Sequence, residues 1–353
     1  MKMMRFYQEL ISTNNKLAHK DSEFSLSISN WYKKNGRENL PWREDVSPYR
    51  IWISEVMLQQ TQVKTVIPFF NSFISNYPDL NKLSHASEEN ILALWTGLGF
   101  YRRAKNIYKA KEVIKANFDN EFPSKFNEII SLPGIGDSTA GAIMSIAYKE
   151  PYPILDANVK RVISRFEGVV NDSSTSSIKE LWTLSMKHTP LKNIFEYTQG
   201  IMDIGATICN TKTPECKICP LHRSCASAFS TIEKKIISKK INPIKYIHFE
   251  LAYTDKKVLL FKRHKKTFWE SLWIPYETDN TNRSSLIHKK EIESKSINIK
   301  HKLSHLNLDI TVKLIKYKNI FDLITNLEHQ WIKKDEIEKF GLPKPIKTII
   351  EGI

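Results

Sequence analysis

From Trp31 to about Phe229, apolar residues recur at spacings of three and four with polar turns between them, the pattern of amphipathic helices. The spacing predicts helices within 49–73, 87–99, 102–118, 138–149, 158–166 and 196–209. Pro48, Pro78, Pro123, Pro133, Pro151 and Pro153 fall mainly between these stretches as boundaries. Residues 1–30 form a polar lead-in whose sparse apolar positions predict no element, and the basic stretch 230–245 has no helical period and reads as a linker. Beyond it the texture changes. Partly alternating β-branched and aromatic runs at 246–253, 257–264, 271–277 and 305–317 predict strands, followed by a short helix-like stretch at 334–351. The pattern therefore predicts a mainly α domain over 31–229 and an α+β domain over 246–353.

With 353 residues, 41% of them hydrophobic, the chain has material for two buried cores. No run approaches the ~20 apolar residues of a membrane span, and the N-terminus MKMMRFYQEL has no secretory apolar core. We expect a soluble, cytoplasmic chain without a membrane partner, in the nucleoid if bacterial. A net charge of +15 and a pI near 9.4 favour a polyanionic partner. A lysine-rich composition from an AT-rich genome has the same effect, so charge alone does not decide.

The four cysteines, Cys209, Cys216, Cys219 and Cys225, share one segment with the spacing Cys-x6-Cys-x2-Cys-x5-Cys. In a reducing compartment such clustering points to metal rather than to disulfides. Structural zinc commonly uses two tight pairs, whereas this loop has one pair and two outlying cysteines. A compact four-thiolate loop suits a [4Fe–4S] cubane, with zinc the alternative. Lys212, Lys217, His222 and Arg223 make the loop basic, which suits phosphate contact.

In LPGIGDSTAGAI, Gly134 and Gly136 stand between an apolar turn and a helix beginning near Ser138. Glycines there allow positive φ and let amides approach a phosphate at the helix start. A plain tight turn is the other reading of the motif alone. Asp156 follows Gly136 by twenty residues, just before the next helical stretch, where an N-cap is the ordinary role. Glu55 lies on the helical face shared by Ile51, Trp52, Leu58 and Gln59. Desolvation there raises a carboxyl pKa, as a general acid at neutral pH requires; a salt bridge to Arg43 or Arg50 is the structural alternative.

Taken together, PWRED…SPYRIWISEVMLQQTQV, LWTGLGFYRRAKN, LPGIGDSTAGAI, ILDANVKRV, MDIGATIC and the cysteine loop resemble the adenine DNA glycosylase (MutY) family over about residues 31–225. The resemblance implies a helix-hairpin-helix glycosylase domain with a [4Fe–4S] loop at 209–225, then a Nudix-like domain that reads 8-oxoguanine. It implies a monomer acting on double-stranded DNA as a monofunctional glycosylase that excises adenine opposite 8-oxoguanine or guanine. Glu55 matches the acid that protonates adenine at N7 and helps to activate water, and Asp156 the carboxylate that stabilises the cationic sugar. Asn158 matches the residue positioning that aspartate, and Ser138 supports the same site. Gln59 and Gln60 match residues at the gap left by the flipped base, and Phe100 and Tyr101 the aromatic pair beside the lesion. Gly134 and Gly136 match the hairpin that holds the DNA backbone. Ser304 and His305 match the pair that contacts 8-oxoguanine. Two positions depart from the family pattern. Phe100 stands where a tyrosine is usual, and Leu303 where a phenylalanine is.

Two other readings compete. A bifunctional endonuclease III-like glycosylase needs a nucleophilic lysine where this chain has Ser138, and it lacks an equivalent of Glu55. A non-catalytic, redox-sensing DNA-binding protein accounts for the charge, hairpin and cysteines but leaves Glu55 and Asp156 without a role.

Overall fold

The structure is a computed structural model that describes residues 22–172, 174–230, 242–278, 291–323 and 325–353. The chain divides into two compact units. One comprises Met1–Ser84 and Lys109–Lys234, the other His85–Tyr108 and Lys235–Ile353. In this division the segment 85–108 packs with the second unit, while its helical spacing reads as continuous with 31–229. Local periodicity reports the element but not which core it joins. Most of the expected linker, 231–241, and residues 1–21 of the expected lead-in lie outside the described residues.

The first unit is helical. α1 (Glu23–Asn35) begins inside the expected lead-in; Ser22 caps it, and Phe24, Ile28 and Tyr32 are buried. After the short α2 (Pro41–Glu44), the single stretch expected at 49–73 is two helices, α3 (Pro48–Leu58) and α4 (Val63–Asn76). They are parted by a turn in which Gln60 takes φ +58°. Following α5 (Leu80–Ser84), the unit resumes in α7 (Arg102–Asn117), which starts in the second unit, after α6 (Glu88–Leu94). Next come α8 (Phe126–Ile129), α9 (Asp137–Ile146), α10 (Ala157–Glu167), α11 (Thr175–His188) and α12 (Ile194–Thr207). Trp52, Phe70, Phe73 and Tyr197 are fully buried in this unit. The α1–α12 contact is close, since a Cβ at Gly200 would stand 2.8 Å from the Ile28 side chain.

The second unit contains a seven-stranded mixed sheet. Its strands are β1 (Ile244–Tyr253), β2 (Lys257–Lys262), β3 (Trp273–Ile274), β4 (Tyr276–Thr278), β5 (Glu293–Lys302), β6 (Asn307–Lys316) and β7 (His329–Lys333). The path β3-β2-β1-β6-β5 is flanked by β4 on β1 and β7 on β2, and only β1–β6 is parallel. Phe249 and Leu251 of β1 and Ile310 and Val312 of β6 are buried, the alternation expected of a half-covered sheet. β5 and β7 carried too little alternation to be predicted; β5 is exposed at half of its positions or more. A 3₁₀ turn at Lys334–Lys339 and α13 (Lys344–Glu351) close the chain.

Candidate active site

Asp156 is the N-cap of α10, and its Oδ1 accepts the Val159 amide at 2.7 Å. The approach to it, 150–155, is held against α9 and α11 by a set of small residues. Ser145 donates to the Tyr152 carbonyl and Ser185 to the Ile154 carbonyl, each at 2.7 Å, while Ser138 Oγ accepts the Leu155 amide at 3.0 Å. Gly141 makes room, since a Cβ there would fall 2.2 Å from the Pro153 carbonyl oxygen. Ser138 therefore acts on the backbone next to Asp156. Ser145, Ser185 and Gly141 were not legible as site residues, because the sequence carries no mark of which hydroxyl meets which distant carbonyl.

Glu55 sits on α3, whose other residues are buried nearly all round. Its carboxyl is pushed up to about 7, first by desolvation, then by the negative charge of Asp156, against a smaller opposing effect of Arg43. The alternative salt bridge is not made. Arg43 donates to Asp203 at 2.8 and 2.9 Å, Arg50 pairs with Asp45, and among the described residues no cation pairs with Glu55. Burial pushes the Asp203 carboxyl up, but hydrogen bonds and charge from Arg43 and Arg37 outweigh it and leave it below the usual range. Arg43 thus reaches Glu55 through charge only.

Asp156 is also raised by burial, opposed by the Val159 and Asn158 amides and by the charges of Arg161 and Lys160. The two carboxyls are not equivalent. The negative charge of Asp156 contributes to raising Glu55, while Asp156 has amides and cations of its own that oppose its rise. The pair therefore joins a carboxyl raised to about 7 to a second one that carries its own amide and cation partners.

Asn158 Oδ1 accepts from Arg161 at 2.8 Å, and Arg161 donates onward to the Gly205 carbonyl at 2.5 Å and the Cys209 carbonyl at 2.7 Å. One turn later, Arg165 donates to the Asn210 carbonyl at 2.7 Å and approaches Cys209 Sγ at 3.4 Å. Close helix contact supports this line, because a Cβ at Gly205 would lie 2.6 Å from Asn158 Cβ. The four cysteines line one cavity together with Arg165 and His222. Burial and the neighbouring cysteines push Cys219 to about 11, with the Leu221 amide opposing. Among the described residues, no three His, Cys, Asp or Glu side chains converge on the spacing of a single metal ion. An all-sulfur donor set lining one cavity fits a thiolate-liganded metal group, and these four cysteines are the residues that would hold it.

The hairpin turns as expected at only one of its two glycines. Gly134 takes φ +85°, but Gly136 has φ −103° and serves as the N-cap of α9. A Cβ at Gly136 would meet nothing within 4 Å, so it is open space at a helix start without a side-chain cap that marks the position. Gln59 Nε2 lies 3.5 Å from Thr139 Oγ1 in the first turn of α9, which joins the 59–60 turn to the hairpin helix.

The remaining expected residues belong to the second unit. Phe100 has φ +50° and is 42% exposed. The Tyr101 hydroxyl is committed within the unit, donating to the Leu342 carbonyl at 2.9 Å. Ser304 and His305 are exposed in the four-residue turn between β5 and β6, with Ser304 Oγ 3.3 Å from His305 Nδ1. The Leu303 amide donates to the Leu306 carbonyl at 2.8 Å and closes that turn.

Comparison with known proteins gives a consistent picture. Residues 53–186 match the HhH-GPD superfamily base excision DNA repair protein model, and 248–352 match the NUDIX domain. The Adenine DNA glycosylase of Buchnera aphidicola subsp. Acyrthosiphon pisum (strain APS) is 40% identical, over 93% of this chain and 97% of that protein. The protein of the same name from Buchnera aphidicola subsp. Schizaphis graminum (strain Sg) is 39% identical, over 93% of this chain and 98% of that one. Among solved structures, a thermostable thymine-DNA glycosylase aligns with a TM-score of 0.53 and 26% identity over 57% of this chain and 94% of its own.

Proposed function

The chain belongs to the adenine DNA glycosylase family, and we propose that it removes adenine paired with 8-oxoguanine or guanine as a monofunctional enzyme. It is a base excision repair glycosylase that hydrolyses an N-glycosyl bond. The observation that carries the mechanism is the pair of carboxyls, Glu55 raised to about 7 and Asp156 at a helix start with amide and cation partners of its own.

A base stacked in duplex DNA is out of reach of these half-buried carboxyls, so the adenine is flipped out towards them at a cost of a few kcal/mol. Glu55 donates its proton to N7, which turns the base into a neutral leaving group. As the bond from C1′ to N9 breaks, positive charge grows on the sugar, and the Asp156 carboxylate offsets it. The resulting Glu55 carboxylate accepts a proton from the water that adds to C1′. Asn158 and Ser138 hold Asp156 in place. Ser138 leaves no amine at the position where a lyase carries its lysine, which supports hydrolysis without strand cleavage. Gly134, Gly136 and the basic cysteine loop offer amides and cations to the DNA backbone, with Gln59 and Gln60 at the vacated base position. Phe100 and Tyr101 form the aromatic turn beside the mispair, with the Phe100 ring as its exposed part. Ser304 and His305 read the opposite base. Cys209, Cys216, Cys219 and Cys225 would hold a [4Fe–4S] cluster that fixes the loop after α12.

The test is single-turnover base release from duplexes containing A:8-oxoG, A:G, G:8-oxoG and thymine glycol. Fastest adenine release opposite 8-oxoguanine, with strand breaks only after alkali, is expected. Direct nicking at thymine glycol would overturn the reading in favour of a lyase.

A further inference from the structure

Within the second unit, the bonds that hold residues 85–108 converge on one carboxylate. Glu89 lies in the first turn of α6, behind a reciprocal capping box of Ser87 and Asn90. Its Oε1 accepts the indole N–H of Trp273 at 2.9 Å and the Gly341 amide at 3.1 Å. Its Oε2 pairs with Lys262, whose ammonium also lies 4.9 Å from the Trp273 ring centre. Two more bonds follow along the segment. Thr96 Oγ1 accepts the Leu342 amide at 3.2 Å, and the Tyr101 hydroxyl donates to the Leu342 carbonyl while accepting the Gly97 amide at 3.2 Å. The approach is tight enough that a Cβ at Gly341 would stand 2.7 Å from Leu92 Cβ.

Between these anchors the backbone is unusual. Gly97, Gly99 and Phe100 have φ of +101°, +80° and +50°. A non-glycine residue in that region persists only where its surroundings impose it. Phe100 is held from below as well, with the Arg103 guanidinium 5.4 Å from its ring and donating to the Gly99 carbonyl at 3.1 Å.

We propose that Glu89 is a positioning residue through which the C-terminal domain sets the conformation of the Phe100 turn. The aromatic wedge and the Ser304–His305 hairpin are then two contacts of one compact unit, and discrimination of the opposite base depends on their being held together. This rests on the reading of Phe100 as a DNA contact.

The test uses the full chain and two readouts, hydrogen exchange of the 97–103 amides without DNA and single-turnover adenine release opposite 8-oxoguanine. Glu89→Ala is expected to speed exchange at 97–103 and to slow release, each by about tenfold. Glu89→Gln keeps an acceptor for Trp273 and Gly341 and is expected to restore most of both. Tyr101→Phe, which removes a single hydroxyl, shifts both in the same direction by about threefold, and it carries the test if Glu89→Ala does not fold. Release by Glu89→Ala/Phe100→Ala is expected to be no slower than by Phe100→Ala alone. Unchanged exchange at 97–103 in every variant, or losses that multiply in the double variant, would overturn the proposal. Normal release by Phe100→Ala with fast exchange in Glu89→Ala would instead sink the wedge reading and leave the docking by Glu89 standing.

Discussion

The carboxyl pair of the first unit and the β5–β6 turn of the second are built on opposite principles. Glu55 and Asp156 are shielded, and their properties come from that shielding. Serine hydroxyls, a glycine contact and a helix start fix Asp156, and loss of water keeps Glu55 protonated. Ser304 and His305 are exposed, and the bond between their side chains is internal to the pair. The contrast teaches that bond breaking requires groups whose charge is set before the substrate arrives. A residue that identifies a base needs only to be presented.

The largest expected effect lies on the side of the carboxyl pair. Asp156→Asn removes the charge but keeps the cap, because asparagine caps a helix as well as aspartate does. We expect base release to fall by roughly 10³-fold or more in single turnover, with affinity for A:8-oxoG duplex and Tm unchanged. A large loss of Tm would mean that the residue is mainly structural.

Glu55→Gln comes next and carries a pH signature. Wild-type release is expected to decline as pH rises through about 7, because the protonated form is the active one. The stability effect has a defined sign. A carboxyl whose folded pKa is raised stabilises the folded state while protonated, and that contribution is lost as pH rises from about 4.5 to about 7. Glu55→Gln is therefore expected to melt higher than wild type at pH 8, by at most roughly 3 kcal/mol of stability, and to match it near pH 4. Equal melting curves at both pH values would contradict the raised pKa.

The smallest effect sharpens the other half of the comparison. Ser304→Ala with His305→Ala is expected to slow release opposite 8-oxoguanine by about tenfold and opposite guanine by much less, without changing Tm. An equal loss on both mispairs would remove the hairpin from the recognition machinery.

The sequence was most informative where one residue type is required by chemistry. The glutamate among apolar neighbours on α3, the aspartate before α10 and the cysteine spacing are all visible without coordinates. Helix existence was also legible, though the Gln59–Gln60 turn between α3 and α4 was not, since LQQTQ contains neither glycine nor proline. What escaped were relations across the chain. Arg43 reads as a partner for Glu55 but meets Asp203, 160 residues away. Gly136 reads as a left-handed glycine, but it is an extended cap with open space above it. The allegiance of 85–108 is decided by Trp273, Gly341 and Leu342, which no local period can report.

That last arrangement also has a consequence for the order of assembly. Glu89 and Gly341 are separated by 252 residues, so the ribosome releases α6 long before the strand and turn that donate to it exist. Loop closure over such a distance is late and slow compared with the pairing of neighbouring helices. The Phe100 turn is then among the last parts of the protein to be fixed. In pulse-labelled refolding its amides are expected to gain protection after those of α9, so a chain stopped before Gly341 would have formed its catalytic helices while its wedge still lacked a fixed shape.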